Sequence, residues 1–126
     1  MWLYYDWFGF YIYNASNTNR SIAPLAFERL DSDGNPLNRF DGTHWEELYP
    51  ILHRERCMRI EIQDSPDYLN PAICRNYYYA TRIVPRENEW IFWTPKPDST
   101  QFRVLWMGVE VGRCEIAAGF CEVYVP

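Results

Sequence analysis

The chain has few histidines, no Cys-x-x-Cys pair and no long apolar run, and each shortage narrows the functional classes open to it. Two histidines (His44, His53) and four cysteines without CxxC spacing leave a zinc site without its usual ligand pattern. No GxSxG elbow, HExxH, P-loop or Rossmann glycine run occurs, so the common hydrolase, metalloprotease and nucleotide signatures are missing. Basic residues never gather beyond two or three, and 12 Lys and Arg against 17 Asp and Glu give a net charge of −5. That balance lacks the footprint of a nucleic-acid binder and the polybasic patch that anionic membranes attract. With no run of about 18 apolar residues, membrane insertion by this segment is not expected. Met1 is followed by Trp2-Leu3-Tyr4-Tyr5-Asp6, without the basic start or unbroken apolar stretch of a signal peptide.

What is abundant is aromatic: ten Tyr, seven Phe and six Trp in 126 residues, a composition that suits pleated, half-buried strands. The length fits one domain over residues 1–126, able to bury roughly 65% of its unfolded surface. Four cysteines allow three pairings. The local pairs Cys57–Cys74 and Cys114–Cys121 are favoured, because each is bounded by turn-forming residues. Two bridges imply an oxidising compartment: extracellular, cell-surface or periplasmic. The chain would then be a shortened form of a longer precursor. The competing arrangement is four reduced, buried thiols in a cytosolic domain.

The stretch Gln101–Pro126 shows the fold class most clearly. Phe102, Val104 and Trp106 alternate with Arg103 and Leu105, Met107-Gly108 offers a turn, and Val109 and Val111 alternate with Glu110. A two-residue loop at Ala117-Ala118 would bring Cys114 opposite Cys121, as in a hairpin. Similar alternation recurs over Cys57–Gln63, with Met58, Ile60 and Ile62 inward, and strands are read at Tyr77–Val84 and Trp90–Thr94. The aromatic run over residues 2–14 reads as one strand, and residues 8–30 as a long hairpin whose return carries Leu25 and Phe27 inward, with Pro24 marking an edge or bulge. Thr43-His44-Trp45-Glu46 is a capping box that opens one short helix ended by Pro50. Eight or nine short strands at 8–12-residue spacing predict an all-β antiparallel sandwich, immunoglobulin-like or jelly-roll-like.

Several phrases carry a resemblance: Pro24–Asp31, Asp33-Gly34-Asn35-Pro36, Cys57–Ile62, Ile91–Thr94, Gln101–Trp106, and Cys114–Gly119 with Cys121–Tyr124. Together they resemble an uncharacterised β domain near the C-terminus of bacterial multidomain and exported proteins, over residues 8–126. The resemblance implies a small extracytoplasmic domain attached to something else. It carries no known activity and therefore no catalytic residue. Residues 1–7 lie outside the pattern, as a leader or a domain boundary.

Candidate chemistry is sparse. Asp31, Asp33 and Asn35 place oxygens at alternate positions like the start of a calcium loop, but the later Glu and flanking helices of that motif are missing, and a plain turn accounts for them. Glu46/Glu47 and Asp64/Asp67 are carboxylate pairs in poor positions for acid–base work. The chain is therefore read as a non-enzyme without a cofactor. Its leading role is an extracytoplasmic accessory module, a protein-interaction or cell-surface assembly domain partnered by other domains or subunits. There, the aromatic N-terminal strand with Trp2, Tyr4 and Trp7 could pair at an edge. The alternative is a carbohydrate-binding module that stacks polysaccharide on Tyr78, Trp90 and Trp93, with Glu89 beside them. Asn14-Ala15-Ser16 and Asn19-Arg20-Ser21 are glycosylation sequons, meaningful only in a eukaryotic secretory pathway.

Overall fold

Asp6 and Gly9 split the aromatic N-terminal run in two. The Gly9 amide donates to the Asp6 carboxylate at 3.1 Å, and the Asp6 amide donates to the Gly9 carbonyl at 3.1 Å. The expected single strand is instead a hairpin of β1 (Trp2–Tyr5) and β2 (Gly9–Tyr13). A short acidic side chain that satisfies a nearby amide favours a turn over a continued ladder.

The computed structural model describes residues 1–6, 9–47, 50–62, 71–74, 78–83 and 91–126. Beyond β1 and β2, these contain β3 (Arg20–Ser21), β4 (Leu25–Leu30), β5 (Pro36–Asp41), β6 (Ile51–Leu52) and β7 (Cys57–Ile62). They also contain β8 (Tyr78–Ile83), β9 (Gln101–Trp106), β10 (Val109–Glu115) and β11 (Phe120–Glu122). A five-stranded sheet, β11-β1-β2-β7-β8, and a four-stranded sheet, β10-β9-β4-β5, hold the longer strands; β3 and β6 pair separately. The fold is an all-β sandwich, as the alternation predicts. One pairing departs from the antiparallel expectation: β8 runs parallel to β7.

The order of strands corrects three local readings. β2 pairs with β1 and β7, whereas β4 pairs with β5 and β9, so residues 8–30 change sheets rather than form a hairpin. Pro24 consequently precedes an interior strand, and its carbonyl accepts the Met107 amide at 3.0 Å. Likewise β11 pairs with β1 instead of folding back on β10. The 3-10 turn Ile116–Ala118 and Gly119, in the left-handed region at φ 69°, carry the chain from one sheet to the other. Glycine holds that conformation without the steric cost of a side chain.

No α-helix follows Thr43 among the described residues. A 3-10 turn spans Gly42–His44, and Asp41, not Thr43, caps it. The Asp41 carboxylate accepts both the Thr43 amide (3.1 Å) and the Thr43 hydroxyl (2.6 Å), which engages the group the capping box needed. Gly42 is required here for space, because a Cβ would lie 2.1 Å from the Ala23 carbonyl oxygen. The turn sends Trp45 into the core, where its indole N–H donates to the Ile22 carbonyl at 2.9 Å.

Aromatic rings join the two sheets. Phe10 of β2 meets Phe27 of β4 edge-on at 5.0 Å, and Phe27 stacks on Phe92 at 4.5 Å and 4°. Such pairs contribute about 0.5–1.5 kcal/mol each beyond area burial. Phe92 does not lie in a strand: residues 91–94 run irregularly, contrary to the strand read there. Their register is set by Arg29, buried on β4, which donates twice to the Ile91 carbonyl (2.8 and 3.3 Å) and also to Ser99 and Thr94. Hydrogen bonds from a guanidinium replace the ladder that a strand would have supplied.

Candidate binding site

The two outer faces of the sandwich differ in chemistry. On the four-stranded sheet, Arg113, Arg103, Glu28 and Arg39 stand in register across β10, β9, β4 and β5. Glu28, on a buried stretch of β4, accepts Arg39 at 2.8 Å on one oxygen and Arg103 at 2.9 Å on the other. Glu110 joins Arg113 at 3.0 Å and Arg103 at 3.6 Å. The charges of this face satisfy one another.

The outer face of the five-stranded sheet is aromatic. Alternation sends Leu3, Tyr5, Phe10 and Ile12 into the core, leaving Trp2, Tyr4, Tyr11 and Tyr13 on the other side. Register then lays out two rows: Glu122–Trp2–Tyr13–Cys57 and Phe120–Tyr4–Tyr11–Arg59. Trp2 and Tyr13 lie 5.4 Å apart, Tyr4 and Phe120 5.1 Å, and the Arg59 guanidinium sits 5.6 Å from the Tyr11 ring. The Cys57–Cys74 bridge clusters with the buried Tyr11 and Tyr13, so coverage falls at this end. Trp2 and Tyr4 remain half-buried, and Phe120 is 43% exposed.

At the Trp2 end the face opens into a cleft of about 330 Å³, lined by Trp2, Arg20, Glu122, Tyr124, Asn14 and Ser16 among others. Asn14, 1% exposed, shapes one wall. Its amide donates to the Thr18 and Leu52 carbonyls, both at 2.9 Å, and its oxygen accepts the Ser16 amide and hydroxyl. Arg20 lies over the Trp106 ring at 5.8 Å and donates to the Pro126 carbonyl. Tyr124 is 78% exposed; the neighbouring Glu122 carboxylate, as acceptor and as charge, holds its phenol above the ordinary range.

The residues singled out from sequence are not assembled into one site. Trp93 is 1% exposed and packs on Phe92 and Phe10 between the sheets, so it offers no ring to solvent. This corrects its place in a sugar platform. Tyr78 lies in β8 opposite Cys57, while Glu89, Trp90 and Trp7 lie outside the described residues, as does the Asp64/Asp67 pair. Trp2 and Tyr4 belong to β1, which is flanked by β11 and β2 and so is not an open edge. The Asp31 carboxylate accepts the Asp33 and Asn35 amides, both at 2.9 Å, closing the β4–β5 turn. Among the described residues no group of three or more His, Cys, Asp or Glu could hold a metal ion. Both disulfides join the locally paired cysteines.

Sequence reasoning missed the cleft. Glu122 and Tyr124 carried a signal, because they alternate with the inward Cys121, Val123 and Val125. Arg20 carried none: it sits in a polar turn cluster, and only the pairing of β3 with β6 fixes its position. No protein-family model, curated protein or solved structure matches the chain.

Proposed function

We propose that this domain is a non-catalytic, extracytoplasmic accessory module that docks other domains or subunits through the aromatic outer face of its five-stranded sheet. The observation that carries the reading is the row Phe120–Tyr4–Tyr11. It grades from an exposed ring at β11 to a fully buried one at β2. Large, stiff aromatic side chains at the rim of a rigid sheet contribute contact area at low entropic cost, which is why they anchor protein interfaces. The opposite face, with its paired charges, is suited to contact with water. Two disulfides fit an oxidising location, and the resemblance to C-terminal domains of exported bacterial proteins agrees with an attached role.

Sedimentation velocity across a wide concentration range tests this. Association that rises with concentration and is lost in a Phe120→Ser, Tyr4→Ser variant of unchanged circular dichroism supports the reading. A protein that stays monomeric at millimolar concentration, with or without these substitutions, overturns self-assembly. Failure to co-sediment with the domains it is naturally joined to would then remove docking as well.

A further inference from the structure

The cleft beside Trp2 brings two aromatic rings and a carboxylate to one surface. Trp2 is braced by Tyr13 at 5.4 Å and by its pairing to β2 and β11, so its ring is held rather than free to turn. Tyr124 supplies a second, strongly exposed ring on the same cleft. The exposed Glu122 lines the same cleft, two residues from Tyr124 and opposite Trp2 in the sheet. A volume of about 330 Å³ lies at the lower end of small-ligand sites.

The charges select among ligands. Arg20 is engaged by the Trp106 ring and the Pro126 carbonyl, and the Met1 ammonium, also on the lining, donates to the Val123 carbonyl. The Glu122 carboxylate, which already accepts the Tyr124 phenol, keeps further lone pairs for hydroxyl donors. One carboxylate and two cations, each already bonded within the protein, leave a charged ligand little to pair with. A neutral ligand with adjacent hydroxyls and one apolar C–H face would be satisfied on both counts, hydroxyls on Glu122 and C–H face on an aromatic ring.

We propose that this cleft binds a neutral hexopyranose unit of a carbohydrate chain, an assignment that rests on the reading of the domain as a non-catalytic binding module. The ring of the sugar stacks on Trp2, with Tyr124 against the adjoining unit. Glu122 accepts from a vicinal hydroxyl pair, and the Asn14–Ser16 wall sets the depth of entry.

The test is a titration of the ¹⁵N-labelled domain with cellohexaose, chitohexaose, mannohexaose and a galactose hexamer, following the Trp2 indole resonance. At least one of the four is expected to shift that resonance saturably. Trp2→Ala and Tyr124→Ala should each weaken binding about tenfold, and Glu122→Gln should weaken it by a smaller factor. Tyr124 is exposed enough that its replacement leaves the fold intact, which covers the case in which Trp2→Ala fails to fold. No shift by any of the four at about 10 mM, or equal binding by parent and Tyr124→Ala, overturns the site. Preference for polygalacturonate over every neutral hexamer overturns its neutral character. Loss of sugar binding with concentration-dependent association retained removes only the sugar site; the reverse pattern removes only self-assembly.

Discussion

Cys114 and Cys121 are bonded across 5.7 Å between Cα atoms, yet they belong to different sheets. The bridge ties β10, an edge of the four-stranded sheet, to β11, an edge of the five-stranded one. Closing so short a loop contributes about 2.5 kcal/mol in the chain-entropy picture, and the Cys57–Cys74 loop about 3 kcal/mol. Cys114→Ser with Cys121→Ser should therefore lower stability by about 2.5 kcal/mol while leaving the hydrogen bonds of β11 to β1 in place. Urea unfolding of parent and double variant measures this. A loss below about 0.5 kcal/mol would show that β11 is held by the ladder alone.

Glu28 is the hinge of the charged face, with both oxygens taken by arginines. Removing one member of a fully buried pair costs about 3–5 kcal/mol. Arg39 has a half-exposed side chain, and solvent screens its share. Glu28→Ala is accordingly expected to cost about 2 kcal/mol. The cost should shrink in Glu28→Ala/Arg103→Ala, measured as a double-mutant cycle of urea midpoints. Strict additivity would show that the two side chains do not interact.

Two groups, Tyr5 and Arg29, act in opposite directions on stability at alkaline pH. Burial, with the charge of Glu115 second, pushes the Tyr5 phenol up to about 12. A phenol raised above its unfolded value near 10 lends stability that is complete below that pH and is lost as pH climbs toward 12. Burial pulls Arg29 down to about 10, so its penalty is full below that pH and is relieved above it. Tyr5→Phe removes the first effect and also the 2.6 Å hydrogen bond to the Glu115 carbonyl. At about pH 8 the variant should be weaker by about 1 kcal/mol, a gap that closes toward about pH 11. A gap that stays constant between those two pH values would refute the Tyr5 assignment.

Two sequons differ in access. Asn14 is buried with both amide hydrogens donated, whereas Asn19 is exposed and engages Arg54 only through its oxygen. Secreted from a eukaryotic host, the folded domain should carry glycan at Asn19 and none at Asn14, readable by peptide mass after enzymatic deglycosylation. Full occupancy at Asn14 would mean that modification precedes folding of the 14–18 loop.

Strand periodicity, the Met107-Gly108 turn and the cysteine pairs were legible because each depends on neighbours within a few residues. Met107 and Gly108 both adopt positive φ, and Trp106 pairs with Val109, the two-residue hairpin that the Gly signals. The sheet changes after β2 and after β10 were not legible, since alternation tells which residues face inward but not which strand lies alongside. Trp93 illustrates the limit: a large ring next to a charged turn looks surface-bound until Phe10, Phe27 and Phe92 are known to converge on one point. Trp2 was singled out for edge pairing. Its partners, Tyr13 and Glu122, are 11 and 120 residues away, and only the completed sheet gives it a different neighbourhood.

The placement of β1 between β2 and β11 also dictates when this sheet can form. Leu3 faces Ile12 on one side and Cys121 on the other, so one flank of β1 stays uncovered until β11, more than a hundred residues further on, has been made. During synthesis the β1–β2 hairpin has a bare, aromatic flank and no means of covering it. Contacts this distant along the chain are slow to close and expose sticky intermediates.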